Sequence, residues 1–244
     1  MTRAPRQRQR ILIGAGSFAD AESALQLAER IAGPLASDLG GVMIEDRRLA
    51  ELLGQPGYRI VTAAGTLAPA PSRPELQRLV AAQARAFEAG LARLAAARAL
   101  HWSFERRAGE LVSSLCAAAH GWDLLVVGHR ALHRRLGPVV LLSPPAASAA
   151  PALAETVATA LHSHVVALDA PAPDSPGAEA ALLDAVSRRH AAAVVLDLGT
   201  GPLHGEEQLR HLIEAARCPV LVLGVDRPEA TGAAPAGNPP NGAG

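Results

Sequence analysis

Lysine is missing from the 244 residues: all 23 basic side chains are arginine, balanced by 23 carboxylates, for a formal net charge of zero. With no excess of either sign, the balance argues against an obligate nucleic-acid binder, whose basic face normally shows in such totals, and no nucleic-acid partner is expected. Aromatics number only six, and alanine is abundant; a GC-rich coding sequence leaves the same bias, so no function is read from it. Cysteine is almost absent. Cys116 and Cys218 lie far apart in apolar stretches, which excludes a disulfide scaffold and implies buried thiols in a reducing, cytoplasmic setting. Long apolar runs are lacking too. Residues 136–154 carry no charge, but Pro144, Pro145 and Pro151 interrupt them, so a helix of about 20 apolar residues is unavailable and no membrane partner is expected. Arg3, Arg6, Arg8 and Arg10 imitate the start of a signal peptide. The apolar run behind them stops at residue 13, too early for one.

What is present is an apolar content of 49%, ample for a core, arranged as alternating strand-like and helix-like segments. Residues 10–15 (RILIGA) read as a buried strand. Residues 20–31 read as a helix with Ala21, Ala24, Leu25, Ala28 and Ile31 on one face, stopped by Gly33 and Pro34. Residues 39–44 (LGGVMI) make a second strand, weakened by two glycines. A long connection, 46–71, holds one or two helical turns (RRLAELL). Ser72 then opens the longest helix, with Pro74 in its first turn, Glu75 at capping-box spacing, and a stripe of Leu76, Leu79, Val80, Phe87, Leu91 and Leu94. Strand 101–104 (HWSF), helix 110–119 and the wholly apolar strand 123–128 (DLLVVG) complete the first half. Helical crossovers between strands predict parallel sheets.

The second half repeats this order in shortened form. Strand 139–142, helix 152–161 and strand 165–168 are followed at once by helix 179–189, strand 193–198, helix 206–216 and strand 219–224. "ELVSSLCAAAHGWDLLVVG" and "ALLDAVSRRHAAAVVLDLG" align, with His120 and His190 in equivalent places at helix ends, and we read them as a duplication. The predicted organisation is a basic extension (1–9), a first lobe (10–136), a shortened second lobe (137–226) and a disordered Gly/Pro/Ala tail (227–244). The fold class is α/β, with open parallel sheets, flanking helices and two incomplete Rossmann-like lobes.

Three segments carry a family resemblance. "RILIGAGSFADAESALQLAERIAGPLASDLGGVMIED" is similar to the opening of universal stress proteins. "GELVSSLCAAAHGWDLLVVGHR" resembles their stretch ending in an apolar strand, and "IEAARCPVLVLGVDRP" their last helix and strand. The resemblance implies an adenine-nucleotide α-hydrolase-like fold with strand order 3-2-1-4-5, here as a tandem. The first copy would lack its fifth strand and the second its third. It also implies a stress-response role and pairing through the fifth strand. We therefore expect a homodimer joined by the apolar edge 219–225.

In such sheets ligands sit at the carboxyl ends of strands where the order reverses. That places the candidate pocket at Ala15, Gly16 and Ser17 with Gly128, His129 and Arg130, and in the second copy at Gly199 and Gly201. Nucleotide-binding members of the family carry an Asp at the end of strand one and a Gly-x-x-Gly loop after strand four, whose amides cradle phosphates. Ala15 stands in place of that Asp. Ala131 follows Gly128 where the next glycine should be, and Pro202, without an amide, follows Gly199. No ATP or other cofactor is therefore expected. Arg106, Arg107, Arg134 and Arg135, with Arg130, follow strands three and four and could form an anion patch for phosphate or an acidic partner. His129 and His133 have metal-ligand spacing, but the surrounding arginines oppose a cation, so no metal is expected. Ser17 lies outside a nucleophile elbow, and no acid–base pair accompanies a histidine. The expected function is that of a non-catalytic regulatory or adaptor protein acting through association with protein partners. The alternative is a nucleotide or phosphate sensor using the arginine cluster.

Overall fold

The computed structural model describes residues 9–46, 51, 59–61, 65–129, 137–142, 148–169 and 177–225. The predicted extension apart from residue 9, the tail, the RRLAELL turns apart from Glu51, and Arg130, Ala131, His133, Arg134 and Arg135 lie outside them.

Each apolar run seen in the sequence forms a strand. The first half provides β1 (Gln9–Ala15), α1 (Phe18–Leu35), β2 (Ala36–Glu45), a two-stranded hairpin of β3 (Arg59–Val61) and β4 (Leu67–Pro69), α2 (Arg73–Arg98), β5 (His101–Ala108), α3 (Leu111–Ala118) and β6 (Leu124–Val127). The second half provides β7 (Val139–Leu142), α4 (Ala150–Ala160), β8 (Val165–Leu168), α5 (Ala178–Ser187), β9 (Ala193–Asp197), α6 (Gly205–Ala216) and β10 (Val220–Leu223). Local chemistry explains several boundaries. The Ser72 amide and hydroxyl both donate to Glu75 Oε2, at 2.8 and 2.7 Å, fixing the start of α2. In contrast, α1 does not stop at Gly33-Pro34. It runs on to Leu35, because its last turn is closed by the Ala36 amide donating to the Ala32 carbonyl, a bond that needs no amide from Pro34.

Eight strands form one sheet in the order β5-β2-β1-β6-β10-β9-β7-β8. The first four are parallel to each other, and so are the last four; the two sets meet antiparallel at β6 and β10. The α/β class with open parallel sheets and flanking helices holds, and the two parallel sets are joined edge to edge into one mostly parallel sheet through a single antiparallel seam. Within the first set the order is third-second-first-fourth. The second set, read from β8, runs second-first-fourth-fifth if the missing third strand keeps its number. Helices α1, α2 and α4 cover one face, and α3, α5 and α6 the other.

The seam also overturns the expected dimer edge. β10 is buried along its whole length, paired with β6 on one side and β9 on the other. The open side of the first half takes up that strand, so 219–225 is interior and joins no second copy. The two glycines of β2 also acquire a purpose. A Cβ on Gly40 would strike the Trp122 ring at 2.5 Å, and one on Gly41 would press on Leu91 and Phe104 at 2.9 and 3.0 Å. Trp122 in turn lies under the Arg10 guanidinium, 4.9 Å from the ring centre.

Candidate functional site

The strand order reverses twice, between β1 and β6 and between β7 and β9, giving two crevices of the kind that hold ligands. They lie at opposite ends of the sheet. Leu223 of β10 is level with Asp197 of β9 on one side and with Leu124, the start of β6, on the other. Gly199 and Gly201 are thus far from Gly16 and Gly128, and the predicted residues split into two groups.

In the first crevice Ala15 ends β1, and Ser17 is the N-cap of α1. The Asp20 amide donates to Ser17 Oγ at 3.2 Å, and the Ser17 hydroxyl donates to Asp20 Oδ2 at 2.5 Å. A carboxylate of the chain thus occupies the helix N-terminus, where an anion would otherwise be favoured. Ser23 ties the opposite wall, its hydroxyl 2.6 Å from the His129 carbonyl oxygen and 3.2 Å from the His129 amide. Gly128 donates its amide to Gly14 at 2.8 Å. A Cβ on Gly128 would lie 2.3 Å from the Asp20 carbonyl oxygen, so the first turn of α1 sits directly against the end of β6. This glycine serves close packing between strand and helix. Gly16 is more open, with only Leu111 methyls near its missing side chain.

The second crevice centres on a residue that the sequence reading passed over. Asp197 is the only charged residue that is buried among those described. Its carboxylate accepts from the Ser148 hydroxyl at 2.6 Å and from the Gly199 amide at 2.9 Å, while its carbonyl accepts from the Gly201 amide at 2.6 Å. Ser148 also accepts from the Ala150 amide at 3.1 Å, tying the start of α4 to the end of β9. Gly224, at φ 72°, passes so close that a Cβ would meet Asp197 Oδ1 at 2.5 Å. The Thr200 hydroxyl is buried in this turn without a hydrogen-bond partner. The signal for Asp197 was present in the sequence, as a carboxylate ending an otherwise apolar strand. Ser148 had no such signal, lying among small residues.

The described part of the anion patch is divided. Arg106 and Arg107 are neighbours on β5 and so point to opposite faces. Arg106 forms a salt bridge with Glu45, and Arg107 with Glu105 at 2.9 Å. Their charge is already matched by carboxylates. His120 Nδ1 lies 3.4 Å from the Cys116 carbonyl, at the end of α3 as the sequence suggested. Burial, followed by the negative charges of Glu206 and Glu110, pushes the Cys116 thiol up to about 11, which keeps it protonated and a poor nucleophile. No three His, Cys, Asp or Glu side chains among the described residues cluster to hold a metal ion, and no described helix is long and apolar enough to cross a membrane.

No family model matches the chain. No curated protein matches it. Among solved structures it is similar to a universal stress protein from Archaeoglobus fulgidus, with TM-score 0.45 and 11% identity, over 89% of this chain and 98% of that one.

Proposed function

We propose that this chain is a universal-stress-protein-like regulatory protein that carries out no catalysis, holds no ATP, and acts in the cytoplasm by binding other protein surfaces. The observation that carries the reading is that, among the described residues, the chain's own groups fill the first crevice. Asp20 takes the helix N-terminus, Ser23 takes the His129 amide, and the first turn of α1 takes the space a Gly128 side chain would need. Strand order and the segments quoted above support the family reading. A protonated, buried Cys116 supports the absence of a nucleophile.

A second reading, a phosphate or nucleotide sensor, has one observation in its favour: the buried Thr200 hydroxyl without a partner, next to Gly199. The Asp197 carboxylate beside it weighs against an anion. Thermal unfolding with millimolar ATP, ADP, AMP and cyclic dinucleotides separates the two. A ligand at 100 times its Kd stabilises by about 2.7 kcal/mol, which raises Tm by several degrees. No shift with any of them is the expected result. A dose-dependent shift overturns the first reading, and its loss in Thr200→Val would place the ligand in the second crevice.

A further inference from the structure

The sheet ends on one side at β5, whose eight residues pair only with β2 among the described elements. Gly109 donates its amide to the Glu45 carbonyl, so the odd-numbered residues turn their backbone groups inward to β2. By strand alternation, Trp102, Phe104, Arg106 and Ala108 turn their N–H and C=O groups outward. This edge is long and regular, and it carries a large aromatic in water: Trp102 is 42% exposed. Such an edge is a template for another strand.

We propose that β5 pairs antiparallel with β5 of a second copy of this chain, about a twofold axis at Phe104. The residue sequence selects both the partner and the register. With the axis at Phe104, Trp102 lies opposite the partner's Arg106, a cation over an aromatic face, and Ser103 lies opposite the partner's Glu105, a hydroxyl beside a carboxylate. Phe104, already edge-on to Phe87 at 5.3 Å, meets its own copy at the axis. Moving the axis to Glu105, Arg106 or Arg107 sets like charges directly against each other, which is destabilising. Moving it to Ser103 shortens the overlap. The self-complementarity is thus specific to one register, and a twofold contact satisfies the backbone groups of both copies at once. One strand edge buries little area, and interfaces below about 1,200 Å² are weak, so the dimer forms in a concentration-dependent way. The inference does not depend on whether a nucleotide binds.

Sedimentation of the full chain from roughly 1 µM to 1 mM, the Kd range of weak complexes, should show mass rising from one chain to two. Trp102→Arg should remain monomeric throughout, because it faces the partner's Arg106. Adding Arg106→Gln to that variant, which removes the facing cation without setting a carboxylate against Glu45, should restore the dimer. Circular dichroism confirms that each variant is folded. In the unmodified protein, amide exchange at Trp102, Phe104 and Arg106 should slow at least tenfold between the lowest and highest concentrations, while Ser103, Glu105 and Arg107 stay unchanged. A wild type that is monomeric throughout, a folded Trp102→Arg dimer, a folded double variant that stays monomeric, or outward amides indifferent to concentration would each overturn the proposal.

Discussion

Gly128 and Asp197 occupy comparable places at the two ends of the sheet, one where a side chain has no room and one where a charge has no water. A methyl group at Gly128 would push against the Asp20 carbonyl, and backbone on both sides leaves little freedom to yield. Gly128→Ala should therefore destabilise the protein by about 1–3 kcal/mol, the usual cost of overpacking, read as a lower urea midpoint. Asp197→Ala leaves the Ser148 hydroxyl and the Gly199 amide without their acceptor. Stranded buried donors cost about 1–3 kcal/mol, and the same titration checks this. Such roles were only half legible in advance. Spacing places the glycine only at the candidate pocket, because its approach to α1 depends on tertiary packing that no local spacing reveals. The aspartate was visible but read as part of a strand, since its partner Ser148 lies 49 residues away in sequence.

Helices and strands were more legible than the residues at their ends. β7 coincides with its apolar run, because a strand buried by flanking helices must be apolar almost throughout; β8 coincides with its run too, although as the other edge strand it is only partly buried. β5 was cut short at residue 104. As an edge strand it continues through the charged Glu105, Arg106 and Arg107, which hide its period. The β3–β4 hairpin was missed altogether, being two three-residue strands in a Gly- and Pro-rich connection. In α2 the apolar stripe overshoots the core: Leu91 is fully buried, but Leu79 is 53% exposed, and no residue of the helix before Ala84 is buried. Removing the Ser72 group that holds Glu75 therefore frays turns that carry little packing. Ser72→Ala should cost about 0.5 kcal/mol, the low end for helix caps, in chemical denaturation. Glu110 links two elements from different halves. It caps α3 by accepting from the Ser113 amide at 2.9 Å and meets Arg210 of α6 at 3.2 Å. Burial pushes its carboxyl up, but the Ser113 amide, Arg210, the Ser113 hydroxyl and the Val112 amide together outweigh that and hold it down to about 2. A depressed carboxyl stabilises the fold above its ordinary value of 4.5 and loses that contribution as pH falls toward 2. Urea midpoints measured from pH 6 to pH 2.5 should fall less steeply for Glu110→Gln than for the wild type.

At the scale of the whole molecule, the seam joins two sequence halves in one sheet. Apolar residues of β10 contribute to both cores: Leu221 and Leu223 face α1 and α4, while Val220 and Val222 face α3 and α6. Neither half can open without exposing that strand. Both tryptophans, Trp102 and Trp122, belong to the first half, so their fluorescence reports that half alone, whereas far-ultraviolet circular dichroism reports both. The two signals should give superimposable unfolding curves in urea, as for a single cooperative transition; a separate earlier phase in dichroism would show that the halves melt independently. The sequence supplied the contents of each half but not this arrangement, because VLVL pairs equally well in either direction and carries no mark of its neighbour. The place of β10 also has a consequence for biosynthesis. The strand that fills the middle of the sheet is the last of the ten to be synthesised, and its partner β6 is made about a hundred residues earlier. Until residue 223 is free of the ribosome, β6 keeps an apolar edge without its mate. The nascent chain must wait in that state, slow to close so distant a contact, with an edge open to pairing with its neighbours.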